Sequence, residues 1–326
     1  MKLRTTQGIL LFVGVIAAAP TSAQTPYPSK PLRWILTQPP GGANDVLARP
    51  ITSRMAETIG QQIVIDNRGG AGGQIGAEVA AKSPPDGYTM VQLSISHAVG
   101  TTLYKKITKY DLLRDLAPVT MLATVAGVLV VHPSLPVRSV KELILLARAQ
   151  PQKISYSTSG SGTPNHLAAE MFNHLAGVKL IHVPYKGGSS SVIALISGEI
   201  SLSFASMPAA IPHIRSNRLR ALAVTTAQRV QSASVSNLPT MIESGVAGFE
   251  AETWFGLSVP TGTPRDIVTK LNAETARVLK MPEVIQQLDQ SGFQVRVSTP
   301  EEYAAFTRSE IDKWARVVQV ANIHAD

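Results

Sequence analysis

Leu32-Arg33-Trp34-Ile35-Leu36-Thr37-Gln38-Pro39-Pro40-Gly41-Gly42-Ala43-Asn44-Asp45 is the stretch that decides the fold of this 326-residue chain. A short apolar run stops at a Pro-Pro-Gly-Gly turn, which reads as a strand and its end. Beyond the turn, Val46, Leu47, Ile51, Met55 and Ile59 recur at helical spacing, so Asn44–Ile59 is predicted to be a helix with one buried face. Gln62–Asp66 reads as a second strand and Gly69-Gly70-Ala71-Gly72-Gly73 as a tight turn. A helix over Gln74–Lys82 and a third strand over Tyr88–Leu93 follow. Strands alternating with helices predict a parallel sheet covered on both faces.

The pattern restarts downstream. Val125–Val131 reads as a buried strand, and Ser139-Val140-Lys141-Glu142 as a capping box opening a helix to Ala149. Strands over Ile154–Thr158, Leu180–Val183, Ile200–Phe204 and Leu219–Thr225 alternate with helices over Thr163–Ala176, Gly188–Ser197 and Met207–Arg215. A polar stretch, Thr226–Asn237, leads away. The last third holds one strand, Trp254–Val259, and then helices, opened by Thr263-Pro264 and by the capping box Thr299-Pro300-Glu301-Glu302. These helices have too few strands to stand alone and are expected to pack back on the first unit. The expected fold is therefore α/β and two-lobed. Lobe 1 spans 24–122 and 250–326, and lobe 2 spans 123–249. Chain crossings near Pro118–Thr124 and Phe249–Phe255 form a hinge with a central ligand cleft.

The N-terminus has a different composition. Lys2 and Arg4, the apolar run Ile9–Ala19 and Pro20-Thr21-Ser22-Ala23 match the three regions of a secretory signal peptide, 1–23. The apolar run is shorter than the roughly 20 residues a membrane span needs. Cleavage near Ala23 predicts a periplasmic protein that is not embedded in the membrane, and a monomer. The absence of cysteine excludes disulfides, thiolate metal sites and a Cys nucleophile. The net charge of +8 reads either as a solvated coat or as an anion-attracting cleft, and no dense Lys/Arg cluster points to nucleic acid. None of the seven histidines lies in a metal-binding pattern, so no metal is expected. No cofactor is expected either: Gly69–Gly76 misses the dinucleotide fingerprint because Ile75 stands where the third glycine is required.

Two turns carry the chemistry. Ser159-Gly160-Ser161-Gly162-Thr163-Pro164 joins a strand to a helix; its glycines permit close backbone approach and its hydroxyls can donate. The helix behind it points its open N–H groups and positive dipole end at the loop. Pro39–Asp45 repeats this logic, with Asp45 also suited to capping its own helix. One such turn per lobe makes a receiver for an anion. The expected ligand-binding set is Gln38, Gly41, Gly42, Ala43, Asn44, Asp45, Ser94 and Ser96 on lobe 1, with Ser159, Gly160, Ser161, Gly162, Thr163, His166 and Ser201 on lobe 2. A competing reading is an exported serine hydrolase using Ser159 or Ser161 with His166 as base. It is weakened because Ser159 replaces the first glycine of G-x-S-x-G.

These motifs also resemble a known family. Tyr27-Pro28-Ser29-Lys30-Pro31-Leu32-Arg33 followed by Pro39–Arg49 is similar to the opening of the Bordetella uptake gene receptors, the substrate-binding subunits of tripartite tricarboxylate transporters. Val64-Ile65-Asp66-Asn67-Arg68, Ser159-Gly160-Ser161-Gly162 with His166-Leu167, His182-Val183-Pro184-Tyr185-Lys186-Gly187-Gly188, Glu243–Phe249, Trp254-Phe255-Gly256-Leu257 and Pro260–Pro264 continue the resemblance in order. It implies a two-lobed periplasmic binding protein fold (type II) with a hinged cleft, whose Gln38–Asp45 and Ser159–Thr163 loops hold the carboxylate of a small organic acid, partly through ordered waters. It also implies one large and one small membrane transporter subunit as partners, or, for a sensing member, a sensor kinase. Two positions depart from the family pattern. Thr37-Gln38 stands where Pro-Phe is usual, which predicts a more polar pocket wall. Ser201 replaces a usual Asp, which implies that an amino acid is a poorer ligand.

Overall fold

A computed structural model describes residues 27–230, 235–320 and 323. The expected signal peptide and its expected cleavage site, and residues 231–234 of the polar stretch, lie outside the described residues. The first lobe begins with β1 (Leu32–Leu36), α1 (Ala43–Ile59), β2 (Ile63–Asn67), α2 (Gln74–Ala81), β3 (Thr89–Ser94) and α3 (Ile95–Leu103). A long strand, β4 (Leu116–Val131), leads into α4 (Val140–Ala149), β5 (Ser155–Thr158), α5 (Pro164–Ala176), β6 (Ile181–Pro184), α6 (Gly188–Ile196), β7 (Leu202–Ser206), α7 (Met207–Arg215) and β8 (Arg220–Val224). The chain returns through β9 (Glu252–Pro260), α8 (Arg265–Leu279), α9 (Pro282–Gln290), β10 (Phe293–Val295) and α10 (Pro300–Val320).

The parallel pairings β1–β2, β1–β3, β5–β6 and β5–β7 follow from the βαβ pattern. β4 joins the two halves. Its first part runs antiparallel to β9, from Leu116 opposite Pro260 to Ala126 opposite Glu252, and Gly127–Val131 then pair with β7. One strand thus belongs to both half-sheets, and the hand-over falls between Ala126 and Gly127. The sequence places the start of this strand at Val125, because Pro118 reads as a connection. Pro118 is accommodated by a register slip before Thr120, where its missing N–H costs the ladder little.

α3 and β10 are absent from the sequence reading. α3 is rich in β-branched residues and carries Gly100, all poor helix formers. Gly100 is nonetheless required: a Cβ there would lie 2.1 Å from the Gln74 amide. The structure also corrects the start of α8. Thr263 does not cap it; its hydroxyl donates to the Pro260 carbonyl (2.7 Å), and Pro264 occupies the cap position. At α4, the Glu142 carboxylate reaches the N–H of Arg138 rather than that of Ser139. The Thr299–Glu302 capping box forms in both directions (2.8 and 3.1 Å).

The C-terminal helices pack on the first lobe. Trp314 and Tyr303 of α10 join Ile35, Val91, Ala98 and Trp254 in one buried cluster. The indole N–H groups of Trp254 and Trp314 both donate to Glu310 (2.9 and 3.0 Å), which satisfies two buried donors with one carboxylate. The second lobe has its own core around Tyr156, Phe172, Phe204 and Phe249. Among the described residues, no helix is long and apolar enough to cross a membrane.

Candidate functional site

Five helices begin directly after strand ends: α1 after β1, α3 after β3, α5 after β5, α6 after β6 and α7 after β7. Their N-terminal ends meet around one cavity of about 840 Å3, open mouth included. Gln38, Gly42, Ala43, Asn44, Ser94 and Ser96 line it from the first lobe, and Ser159, Pro164, Asn165, Gly188, Ser191 and Ser206 from the second. The floor is the hinge itself: Val125 and Gly127 of β4, Thr253 and Phe255 of β9, with Thr225 and Ala251 between. Thr225 Oγ1 accepts the Gly127 N–H (2.8 Å) and donates to the Ala251 carbonyl (2.6 Å), tying both chain crossings together.

Among the described residues, none that lines this cavity carries a charge. The positive potential there comes from backbone. The first-turn N–H groups of a helix have no partner inside it. α1 and α6 begin from glycine N-caps, and the Thr163 and Ser206 side chains that precede α5 and α7 make no capping bond. Converging helix ends of this kind favour an anion without any lysine or arginine. The excess basic charge of the chain is not what faces the cavity. Ser96 adds a second sign of a ligand: it is 2% exposed, it lines the cavity, and its hydroxyl finds no partner among the described residues. Leaving such a group unpaired costs on the order of 1–3 kcal/mol.

The lobes touch at the cleft rim. Ser189 Oγ donates to the Gly41 carbonyl (3.0 Å), and Tyr104 Oη to the Ser161 carbonyl (2.8 Å). A Cβ on Gly187 would meet Pro39 at 3.3 Å, and one on Gly162 would meet Leu103 at 2.6 Å. The cleft is closed at this rim, with glycines of the second lobe where Pro39 and Leu103 of the first press against it.

Seven of the sequence-predicted residues line the cavity: Gln38, Gly42, Ala43, Asn44, Ser94, Ser96 and Ser159. Eight do not. The Asp45 carboxylate accepts the Gly41 N–H (3.3 Å) and pairs with Arg49 (2.8 Å), so it braces the turn from behind. Gly41, Gly160, Ser161, Gly162 and Thr163 shape the turns and the inter-lobe rim without facing the cavity. His166 Nδ1 accepts the Gly162 N–H (3.1 Å), and its ring stacks on His182 at 4.2 Å, behind the loop. Ser201 lies at the wrong end of its strand. It precedes β7, whose far end, Ser206, reaches the cavity; its carbonyl accepts the His132 N–H (3.0 Å). Its identity therefore has no direct bearing on an amino-acid ligand. Sequence reasoning missed Ser206 and Gly188, although each stands where a strand read from the sequence hands over to a helix read from it. Asn165 and the floor residues carried no such signal.

A closed cleft between two α/β lobes, floored by the crossing strands and walled by helix N-termini, defines a solute-binding protein rather than an enzyme. The chain belongs to the tripartite tricarboxylate transporter receptor family, whose description it matches over residues 47–323. It is 38% identical over 304 residues to protein BugT of Bordetella pertussis, covering 93% of this chain and 92% of that one. Among solved structures, Rpa4515 of R. palustris with adipate superposes with a TM-score of 0.88 at 36% identity, covering 92% of this chain and all of that one. MatC of Rhodopseudomonas palustris with bound malate superposes with a TM-score of 0.84 at 29% identity, covering 90% and 100%.

Proposed function

We propose that this protein captures a small organic carboxylate in the periplasm and delivers it to one large and one small membrane subunit of a tripartite tricarboxylate-type transporter. The observation that carries the reading is the uncharged cavity ringed by five helix N-termini, with the unpaired Ser96 hydroxyl in its wall. Relatives solved with adipate and malate support an acid as the solute. The carboxylate meets the backbone N–H groups of the Gly42–Asn44 turn and the start of α5, with Gln38, Ser94, Ser96 and Ser159 around it. Gly41, Asp45, Gly160, Ser161, Gly162, Thr163 and His166 act from behind by fixing those turns. Residues 24–122 with 250–326, and 123–249, move as the two lobes of a monomer. The separate half-sheets on either side of Ala126 and Gly127 support that division.

A solute that binds only the folded state raises the melting temperature. A thermal-shift screen over adipate, malate, succinate, citrate, benzoate and aspartate, with glucose as the neutral control, is expected to give a rise with at least one acid and none with glucose. No rise with any acid overturns the reading, and a rise with glucose in its place would point to a neutral solute.

A further inference from the structure

We infer that Asn165 is a specificity-determining residue of the cleft, presenting its side-chain amide N–H groups to an oxygen acceptor of the solute. The inference rests on the carboxylate reading and deepens it by naming the side-chain donor on the second lobe.

Asn165 is the second residue of α5 and lines the cavity. Its Oδ1 accepts from the Ser159 hydroxyl (3.0 Å) and the Ser159 backbone N–H (3.4 Å), and shares the single proton of the Thr163 hydroxyl (2.7 Å) with the Gly160 carbonyl (2.5 Å). A backbone N–H can only donate, so the atom facing it must be the oxygen, which sets the orientation of the amide. Nδ2 is then the other end of the group, with two hydrogens and no partner among the described residues.

The loop therefore spends the acceptor of Asn165 and leaves its donors for the cavity. A group meeting Nδ2 must accept: a carboxylate or carbonyl oxygen fits, and an ammonium does not. From the other lobe, the buried Ser96 hydroxyl lines the same cavity and is likewise unspent. One acid held between a donor from each lobe would favour the closed form, because neither lobe alone offers both.

The test uses the acid from the screen above that raises the melting temperature most, titrated calorimetrically into the wild type, Asn165→Asp and Asn165→Leu. Asn165→Asp keeps an acceptor for Ser159 and Thr163 but replaces the donors with negative charge. Expected is a loss of about 100-fold in affinity at pH 7.5, the size of a lost hydrogen bond to a charged group plus like-charge repulsion. Affinity should recover as the pH falls to 5.5, where a proton shared between the two carboxyl groups restores a donor. His166 and His182 lie behind the loop in both proteins, so the ratio of variant to wild type isolates Asn165. Asn165→Leu should weaken binding less than Asn165→Asp, since it adds no charge. If Asn165 only braces the loop, Asn165→Asp binds like the wild type at every pH while Asn165→Leu is weak, and the inference fails. The wild type supplies a second measure that needs no variant to fold: the Asn165 side-chain amide resonance must shift when the acid is added, and an unmoved resonance also overturns the inference. Failure of the wild type to bind any acid is a separate outcome; it sinks the carboxylate reading and this inference with it.

Discussion

On the first lobe, the Ser94 N–H is held by His97 Nδ1 (2.9 Å), and on the second the Gly162 N–H is held by His166 Nδ1 (3.1 Å). Both imidazoles sit in the first turn of a helix that opens on the cavity, and both reach back to brace the turn before it. Their settings differ. His97 is fully buried, and burial pushes its pKa down to about 4. His166 lies in a stacked column with His182 and Tyr156. The loops differ too: an Asp45–Arg49 ion pair braces the first, and neutral bonds among Thr163, Asn165 and Ser159 brace the second. Ionisable groups stand one layer behind the wall in both lobes, while the wall itself stays uncharged. Rigidity and ligand contact are thus assigned to different residues.

The largest effect expected from this contrast is at the inter-lobe rim. Gly160 and Gly162 both hold positive φ, 123° and 70°, but only Gly162 abuts the other lobe. Gly162→Val should cost about 3 kcal/mol of binding or more, adding an inter-lobe clash to backbone strain, whereas Gly160→Val should cost about 1–2 kcal/mol from strain alone. Calorimetry with the acid that binds best, alongside small-angle scattering for closure, checks this. Equal losses would remove the rim contact from the account.

Next in size is the pH dependence of folding set by His97. Its folded pKa of about 4 lies below the ordinary histidine value of about 6.5, so the unfolded chain takes up the proton first. The stability from this group is whole above pH 6.5 and drains away as the pH falls toward 4, by at most about 3 kcal/mol. His97→Gln retains a partner for the Ser94 N–H. Urea unfolding from pH 7 to 4 should show a shallower fall in this variant; parallel curves would mean that His97 is not the source.

Smaller still is Ser96→Ala. Removing an unpaired buried hydroxyl should stabilise the ligand-free protein by about 1 kcal/mol while weakening acid binding about tenfold. A variant that loses stability and keeps its affinity would take Ser96 out of the site. Asp45→Asn should do least, below about 1 kcal/mol in melting experiments, because Arg49 is 59% exposed and solvent screens the pair. A larger loss would show that the charge behind the first turn matters more than its exposure suggests.

Much of this was legible in the chain because turn chemistry and periodicity are local. Pro-Pro-Gly-Gly ends β1 and opens α1 whatever lies elsewhere, and Ser159-Gly160-Ser161-Gly162 does the same for β5 and α5. Those two readings located the cleft and five residues of its wall, Gln38, Gly42, Ala43, Asn44 and Ser159. They could not say which side chains of a turn face inward. His166, the third residue of α5, points behind the loop, while Asn165 beside it lines the cavity. Ser201 carried a family expectation but no direction, and it sits at the far end of its strand.

From the sequence alone came the order of strands and helices apart from α3 and β10, the strand-end, helix-start turns after β1 and β5, and hence a cleft suited to an anion. Only the tertiary structure decided that β4 serves both half-sheets and that Thr225, Thr253 and Phe255 form the floor. Those residues meet Gln38 and Ser96 through pairings of chain segments more than a hundred residues apart. Backbone preference is set by near neighbours, whereas the partners a strand finds across a sheet are set by the packing of the whole molecule.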